Sequence, residues 1–556
     1  MTTSVPVARP KPSRNRARRV PPRSGGLAVP ATHTAGSSTE VANEFAGLDA
    51  RAGLDARAGV DARAGVDAPP ARPIERRAPR EVVRAASDWC QSDEMSAFET
   101  VLWRADADPA MRSPLLAIEQ LDSVPDWERL IKAHESLVRF APRLRQRVVE
   151  APLDLGTPRW SEDPHFDLRR HVWRARLPDG AGWPELLESA ARLAMSAFDR
   201  TRPPWEAVLY EGLPGGKAAY LLKMHHSLTD GLGAAQLLDQ LHSRDREPAP
   251  TPAGPTPPSP PSSWASPLGV LAHQVRSDVT SVPSLLKTAG FGALGALSNP
   301  AAALRSATRY GSSLRRMLSP LAAGSSPLLA ERGPAWRFAA LDVPLKDLRA
   351  AARAAGGTLH DAYLASLLGG YRRYHAALGQ HMESIPVAIP ISVRRPGDPG
   401  GGNRITGARF SGPIGTVDPR ARIEQVRELV LAARSEPAID SMGLVFPTLA
   451  RLPGQLSTQL VCSVTKANDL QASFVPGTRT DRYLAGAHVE RVYPYAPRPG
   501  CPAMITLVTH RDMGCIGVNF DPASFTEPEL FIRCLLEGLT EVLALAPGSA
   551  APSART

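Results

Sequence analysis

The hydrophobic positions in the first half of the chain follow two spacings, which predict both helices and strands. Three- and four-residue intervals, typical of one helix face, occur over residues 127–137, 186–198 and 232–241. Residues 166–177 alternate roughly between apolar and polar, which predicts a strand. Two further apolar segments, 205–212 and 217–224, are separated by Leu-Pro-Gly-Gly, a turn sequence, and are expected to pair as a hairpin.

The second half repeats this mixture of spacings. Strands are predicted at residues 336–343, 385–391, 503–509 and 515–520, and helices at 345–355, 359–378, 421–433 and 528–545. The segment 385–391 is apolar throughout, which is typical of a buried strand, and 515–520 is expected to pair with 503–509. Alternating strands and helices indicate an α/β or mixed α+β protein.

Composition divides the chain into four parts. Residues 1–84 are rich in Arg, Pro, Ala and Gly and hold a six-residue repeat that begins at Gly47, so a disordered tail is predicted there. The repeat is either low-complexity filler or a weak tether to anionic membrane. Residues 85–247 form an N-terminal half and 331–548 a C-terminal half. Between them, 248–330 begins with 8 prolines in 14 residues and continues into a helical crossover, either membrane-lying or packed between the halves.

The net charge of +10 belongs mainly to the predicted tail. Residues 1–80 hold 14 basic and 7 acidic residues, whereas the rest of the chain holds 51 and 48. The body is nearly neutral, so a nucleic-acid-binding protein is not predicted. Five cysteines without a Cys-x-x-Cys pair, no signal peptide and no long uncharged apolar run favour a cytoplasmic protein without a spanning helix.

The densest polar cluster of the chain is His-His-Ser-Leu-Thr-Asp-Gly, residues 225–231, where a predicted strand ends and a helix begins. Strand alternation sends His225 and His226 to opposite faces, so one imidazole can enter a cavity while the other anchors the turn. Asp230 stands where a carboxylate caps helix amides, and Gly231 permits a tight backbone. A neutral imidazole can take a proton from an alcohol or a thiol.

Three interpretations compete for this cluster. The histidines can be structural. His225, His226 and Asp230 can form a two-histidine, one-carboxylate metal site, although adjacent strand histidines face apart and cannot easily share a metal, so no metal site is predicted. In the third interpretation one imidazole accepts a proton from an alcohol or a thiol, and the complete His-His-x-x-x-Asp-Gly string favours this interpretation.

That string resembles the active-site motif of the wax ester synthase/acyl-CoA:diacylglycerol acyltransferase family, which belongs to the superfamily of chloramphenicol acetyltransferase and peptide-synthetase condensation domains. The resemblance extends from about residue 92 to residue 545. Pro203-Pro204-Trp205 resembles the family's Pro-Leu-Trp segment, with Pro204 replacing leucine, and Gly402-Asn403 its Gly-Asn segment.

The resemblance implies two chloramphenicol acetyltransferase-like halves with a channel at their interface. It implies that His226 is the general base, that His225 and Asp230 support the loop, and that neither a metal nor a covalent acyl-enzyme is required. Acyl-CoA would be a co-substrate rather than a bound cofactor. Four residues in the matching segments are expected to contact substrate: Trp205, Asn403, Pro476 and Gly477. Trp205 can equally be a core residue.

The chain departs from the family pattern at two places. His360-Asp361 stands where the family has Asn-Asp, and residues 474–478, Phe-Val-Pro-Gly-Thr, stand where it has Asn-Val-Pro-Gly-Pro. Phe474 can be plain core packing. These changes leave open which acceptor is used.

The expected activity is transfer of a fatty acyl group to diacylglycerol or a fatty alcohol, with peripheral contact to a membrane or lipid-droplet surface. The alternatives are a polyketide or carrier-bound acceptor, and a catalytically silent lipid-binding relative.

Overall fold

The computed structural model describes residues 89, 92–154, 156–248, 266–274, 276, 321, 323–393, 401–436 and 442–555. These residues all fall in one unit, residues 68–556. The predicted tail over 1–84, and most of the predicted linker and crossover over 248–330, lie outside the described residues.

A six-stranded sheet forms the framework of the N-terminal half. In chain order the helices and strands of this half are α1 (Ala97–Ala105), β1 (Pro114–Leu121), α2 (Trp127–Phe140), β2 (Gln146–Val149), β3 (Arg159–Glu162), β4 (Val172–Arg176), α3 (Trp183–Met195), β5 (Trp205–Leu213), β6 (Lys217–His225) and α4 (Gly231–Leu241). The predicted hairpin is confirmed, since β5 and β6 pair antiparallel from Trp205 opposite Met224 onward.

Strand β6 carries mainly apolar side chains on both faces because both faces of the sheet are covered, and its one buried lysine, Lys223, is paired with Glu206. Tyr220 and Leu222 enter one hydrophobic core, and their neighbours Ala219 and Leu221 enter another. A strand that enters two cores is buried almost continuously, which explains why its sequence lacks the polar alternation of a half-exposed strand.

A seven-stranded sheet forms the framework of the C-terminal half. Its helices and strands are β7 (Arg337–Pro344), α5 (Leu345–Ala354), α6 (Leu359–Ala377), β8 (Ser384–Ser392), β9 (Ile405–Pro413), α7 (Pro419–Arg434), α8 (Met442–Leu449), α9 (Gly454–Lys466), β10 (Leu470–Val475), β11 (Tyr483–Leu484), β12 (Ala487–Tyr495), β13 (Ala503–His510), β14 (Met513–Phe520), α10 (Pro528–Leu543) and β15 (Ser553–Arg555). The strand order is β15-β7-β14-β13-β10-β8-β9, and β10 runs parallel to both β13 and β8.

The C-terminal half contributes one strand pair to the N-terminal sheet. β11 and β12 follow the C-terminal helices in the chain, yet β12 pairs with β1 and completes the N-terminal sheet, whose order is β11-β12-β1-β6-β5-β4. Gly517 of β14 lies so close to β12 that an added Cβ would stand 1.7 Å from the carbonyl oxygen of Pro494. The two halves are therefore joined by backbone pairing as well as by side-chain packing.

Most predicted elements are confirmed within a few residues, and one is corrected. The strand predicted over 166–177 is shorter, because residues 168–170 form a 3-10 turn and β4 begins only at Val172. None of the helices in the described part of the chain combines the length and the apolar character that crossing a bilayer requires.

Candidate active site

The His-His-x-x-x-Asp-Gly residues occupy the turn between β6 and α4. His225 is the last residue of β6, and Asp230 is the N-cap of α4, which starts at Gly231. The turn lies against the C-terminal half, because Thr229 forms a β-bridge with Gly402 and the amide of Asp230 donates to the Gly402 carbonyl at 3.3 Å. The motif is thus at the interface of the two halves.

His225 points into the N-terminal half. It has no exposed surface, its Nδ1 lies 2.7 Å from Oγ of Ser227, and its Nε2 lies 3.6 Å from Oδ1 of Asp106. The ring stands edge-on to Trp103 and Phe198. Burial alone would raise the pKa of Asp106, but the His225 imidazole, the Ser113 amide and the charge of Arg200 together lower that pKa below its ordinary value. These contacts enclose His225 within the N-terminal half.

His226 points the other way and keeps part of its surface accessible. Its Nδ1 lies 2.8 Å from Oδ1 of Asn403, a residue of the C-terminal half. The two imidazoles therefore have separate partners, as strand alternation predicts. Among the described residues no group of three His, Cys, Asp or Glu side chains is arranged to hold a metal ion.

The orientation of the Asn403 amide fixes the tautomer of His226. Nδ2 of Asn403 faces two acceptors, the carbonyl of His226 at 2.7 Å and Oε1 of Glu99 at 3.3 Å. The amide nitrogen must point at these acceptors, so the amide oxygen must point at the imidazole. Nδ1–H of His226 then donates to Oδ1, and Nε2 carries the free lone pair. That tautomer can accept a proton at Nε2.

Burial also keeps His226 neutral. Loss of solvent lowers the pKa of His226 below its ordinary value, although the charge of Asp230 and the hydrogen bond to Asn403 act in the opposite direction. A neutral imidazole at neutral pH is the form that a general base requires.

Asp230 caps α4, as predicted from the sequence. Oδ1 accepts from the amide of Gly233 at 3.0 Å, and Oδ2 accepts from the amide of Arg404 at 3.2 Å. One carboxylate therefore holds both the helix start and the segment that carries Asn403. Gly231 has an ordinary helical backbone, and its Cβ would stand 3.2 Å from Val475, so its small size serves close packing rather than an unusual φ.

An apolar wall stands beside His226. The ring of Phe98 in α1 is edge-on to the imidazole at 6.4 Å between centroids, and Phe446 in α8 is edge-on to Phe98 at 4.8 Å. The wall contains residues of both halves.

The four residues predicted to contact substrate lie in different surroundings. Asn403 holds the His226 ring. Trp205 is 2% exposed, stacks on His171 and donates from Nε1 to the carbonyl of Leu144 at 2.7 Å, so its surroundings favour the packing interpretation.

Pro476 and Gly477 directly follow Val475, which packs against Gly231. A Cβ on Gly477 would stand 2.0 Å from the carbonyl oxygen of Thr509, so this position requires glycine. Both residues are exposed beside the motif, and their contact with substrate stays a prediction.

Glu99, Phe98 and Phe446 are not predicted as site residues from the sequence. The available signal was the Ser96-x-x-Glu99 capping box, which marks the start of α1 and is present in the structure. Nothing in the sequence shows that this helix packs against residues some 300 positions later.

A cavity of about 300 Å³ lined by Lys217 and Arg491 lies at the opposite end of β6 from His225 and is separate from this site.

Comparison with known proteins gives matches along nearly the whole described chain. Residues 95–363 match the wax ester synthase/diacylglycerol acyltransferase catalytic domain, and residues 401–542 match the C-terminal domain of the same family. A Mycobacterium tuberculosis protein provisionally named a diacylglycerol O-acyltransferase is 38% identical over 463 residues, which is 83% of this chain and 93% of that protein.

Two solved structures have a similar fold. The wax ester synthase/diacylglycerol acyltransferase of Marinobacter aquaeolei VT8 matches with a TM-score of 0.53 at 20% identity, over 81% of this chain and 98% of that one. The starter condensation domain of rhizomide synthetase, solved in complex with C8-CoA, matches with a TM-score of 0.50 at 14% identity, over 83% of this chain and 96% of that one.

Proposed function

The chain belongs to the wax ester synthase/diacylglycerol acyltransferase family and is an O-acyltransferase; on that premise we propose that it moves a fatty acyl group from acyl-CoA to the hydroxyl of diacylglycerol or a fatty alcohol, with His226 as general base. The predicted family is confirmed by the two domain matches and by the identity to the mycobacterial protein.

The proposed reaction needs one base and no covalent enzyme intermediate. Nε2 of His226 takes the proton of the acceptor hydroxyl as its oxygen attacks the thioester carbonyl carbon. The tetrahedral adduct collapses, the carbon–sulfur bond breaks, and the CoA sulfur leaves with the proton that His226 holds. An ester and free CoA result, and the imidazole returns to its neutral form. In this proposal acyl-CoA is a co-substrate, and neither a metal nor a bound cofactor takes part.

The observation that carries the proposal is the oriented pair of His226 and Asn403. In a structural histidine such as His134 both ring nitrogens have hydrogen-bond partners, whereas a base needs one nitrogen with a free lone pair. The Asn403 amide, held by two acceptors, leaves Nε2 of His226 as the free nitrogen. The Phe98–Phe446 wall supplies an apolar surface that suits a fatty chain beside it.

Replacing each histidine separately tests the mechanism. His226→Ala is expected to lower the rate of CoA release by about 10²–10⁴-fold, the usual contribution of a general base. His225→Ala is the matched control, because it removes the adjacent imidazole that only anchors the turn. Near-normal turnover by folded His226→Ala protein would overturn the role of His226.

The acceptor is tested separately from the base. CoA release should be measured with diacylglycerol, a fatty alcohol and a carrier-bound nucleophile, and the ester products identified after lipid extraction. A second acceptor class has one observation in its favour, since both family departures, His360 and Phe474, lie together in the C-terminal half. Release of CoA with the carrier-bound nucleophile alone would favour that second candidate.

We also propose that the enzyme works at a lipid surface through α9. Leu456, Leu460 and Val464 recur every four residues on this helix and are 44–47% exposed, which leaves an apolar stripe on the surface. Residues 442–468 contain no acidic residue, and their only charges are those of Arg451 and Lys466, both exposed. An exposed apolar stripe with positive ends suits an anionic lipid surface.

Vesicle flotation tests the α9 stripe. Leu460→Glu should reduce binding to vesicles of anionic phospholipid and slow turnover of vesicle-borne diacylglycerol, while turnover of a short, water-soluble alcohol is unchanged. Leu431→Glu is the matched control, because Leu431 is also an exposed leucine, 54% against 44% for Leu460, but lies on α7. Equal binding by both variants would contradict the proposal. A loss of stability without a change in binding would instead show that another part of this chain covers the stripe.

A further inference from the structure

We infer that Glu99 is a positioning residue for the acyl transfer, acting on His226 only through Asn403. This inference rests on the proposed role of His226. It assigns a task to a carboxylate in the first helix of the described chain, far in sequence from the residue that it holds.

Glu99 has two sets of contacts, one within its own half and one across the interface. Its Oε2 accepts from the backbone amide of Ser96 at 2.9 Å, which is half of the capping box of α1. Its Oε1 accepts from the backbone amide of Asn403 at 3.1 Å and from Nδ2 of the same residue at 3.3 Å. Helix capping accounts for the hydrogen bond that Oε2 accepts, but it does not account for the two that Oε1 accepts.

The second oxygen lies where it controls the Asn403 amide. Glu99 is 7% exposed, so solvent offers little competition for these hydrogen bonds. If Glu99 were absent, Asn403 would lose the acceptor that holds its backbone amide and one of the two that hold Nδ2. The amide could then rotate and present Nδ2 to the imidazole. A donor in that place favours the tautomer with hydrogen on Nε2, which cannot accept a proton from substrate.

The chain of contacts is ordered. Glu99 accepts hydrogen bonds from Asn403, and Asn403 accepts one from His226, whereas no hydrogen bond within the described part of the chain joins Glu99 to the imidazole. Removing Glu99 should therefore change how well His226 is set for catalysis and leave substrate binding unchanged. Its effect should also vanish once Asn403 itself is gone.

The most direct experiment compares Glu99→Gln with Glu99→Met, two variants of matched length. Glutamine keeps an oxygen that can accept from Asn403, whereas methionine keeps the bulk and lacks that acceptor. Glu99→Met is expected to lower kcat by about 10²-fold, the cost of misplacing a reacting group by about 1 Å, with unchanged KM for both substrates. Glu99→Gln should retain most of kcat.

Two further variants separate positioning from helix capping. Ser96→Ala removes the other half of the capping box, and the hydrogen bonds of Ser96 within the described residues all lie inside its own half, so this variant should lower stability and keep kcat. In an Asn403→Ala background, Glu99→Met should cause no additional loss of kcat.

The inference is overturned if Glu99→Met keeps wild-type kcat, if Ser96→Ala loses as much kcat as Glu99→Met, or if the losses of Glu99→Met and Asn403→Ala multiply. Failure of this inference is distinguishable from failure of the proposed mechanism. If His226→Ala is inactive while Glu99→Met is fully active, only the positioning role is wrong. If His226→Ala is active, the base itself is wrong.

Discussion

The ring of His360 and the ring of Phe474 lie 6.3 Å apart between centroids, inclined at 32°. His360 is in the first turn of α6, and Phe474 is near the end of β10. These are the two positions at which asparagine of the family pattern is replaced, so the two departures form one contact. Burial lowers the pKa of His360 to about 4, which keeps the imidazole neutral against its aromatic neighbour.

Because the two rings touch, the double variant should lose less free energy of unfolding than the sum of the losses of the two single variants. We predict that His360→Asn and Phe474→Asn are each destabilising and that their double variant deviates from additivity by about 0.5–1.5 kcal/mol, as touching aromatic pairs do. Urea unfolding of the four proteins of this cycle measures the coupling. Additive losses would show that the two departures are independent.

The hydrogen bond between Asn403 and His226 predicts a specific change in pH dependence. Only the neutral imidazole is a base, and the pKa of His226 is below its ordinary value, so the acid limb of kcat/KM should lie below about pH 6.5. The hydrogen bond from His226 to Asn403 raises this pKa. Asn403→Ala should therefore lower the plateau rate by about 10²-fold and move the limb to lower pH.

The pH profile of Asn403→Ala should be compared with that of Ser96→Ala, which leaves both residues of the pair in place. A limb that moves to higher pH in Asn403→Ala would contradict the assigned hydrogen bond.

The sequence predicts the motif better than it predicts what surrounds it. The hairpin that ends at His225 and the cap at Asp230 follow from local spacing and turn chemistry, and both are confirmed. The partners of His226 do not follow in this way, because Asn403 is 177 positions away and Glu99 lies in a helix that the sequence analysis did not predict. Contacts between halves depend on tertiary packing, on which hydrophobic spacing carries no information.

The pairing of β12 with β1 cannot be predicted from local hydrophobic spacing, for the same reason. One of its partners is the two-residue strand β11, and the other is β1, about 370 positions earlier, so it joins the N-terminal sheet. A strand gives the same alternation of side chains whichever sheet it joins. Only the completed structure shows that this strand belongs to the sheet that carries the histidines.

The Phe98–Phe446 wall predicts a dependence on acyl chain length. Truncating an aromatic side chain removes apolar surface that a long chain can cover and a short chain does not reach. Phe446→Ala should raise KM for long-chain acyl-CoA by about tenfold, the equivalent of about 1.4 kcal/mol, and leave KM for acetyl-CoA unchanged. Steady-state kinetics with a series of acyl-CoA lengths checks this.

Phe446→Leu keeps an apolar side chain of intermediate size and should show an intermediate effect. If KM rises equally for every chain length, the wall serves folding or CoA binding rather than the acyl chain.

His225 should matter for stability more than for chemistry. Its ring fills a site between Trp103 and Phe198 and lies beside the Asp106 carboxylate. His225→Ala leaves a cavity and a buried carboxylate with one partner fewer, so we expect a loss of about 2–4 kcal/mol in the free energy of unfolding. Activity per folded molecule should stay within tenfold of wild type. A kcat as low as that of His226→Ala would mean that His225 takes part in proton transfer.

Buried neutral histidines predict that acid destabilises the fold. His134 is fully buried, with Nδ1 2.8 Å from the carbonyl of Leu130 and Nε2 2.8 Å from the hydroxyl of Tyr220, and burial lowers its pKa to about 4. The unfolded chain binds this proton near pH 6.5 and the folded chain only near pH 4. The contribution of neutral His134 to the free energy of unfolding is therefore fully present above about pH 6.5. It decreases as the pH drops toward 4 and is lost below that.

His134→Gln isolates this contribution. Glutamine cannot titrate, so the free energy of unfolding of the variant should fall less than that of the wild type as the pH is lowered from 7.5 to 5. Over that interval the free energy of unfolding of the wild type should fall by about 2 kcal/mol more than that of the variant. Urea unfolding at the two pH values measures it, and equal slopes for the two proteins would show that the His134 proton is bound alike in the folded and unfolded chains.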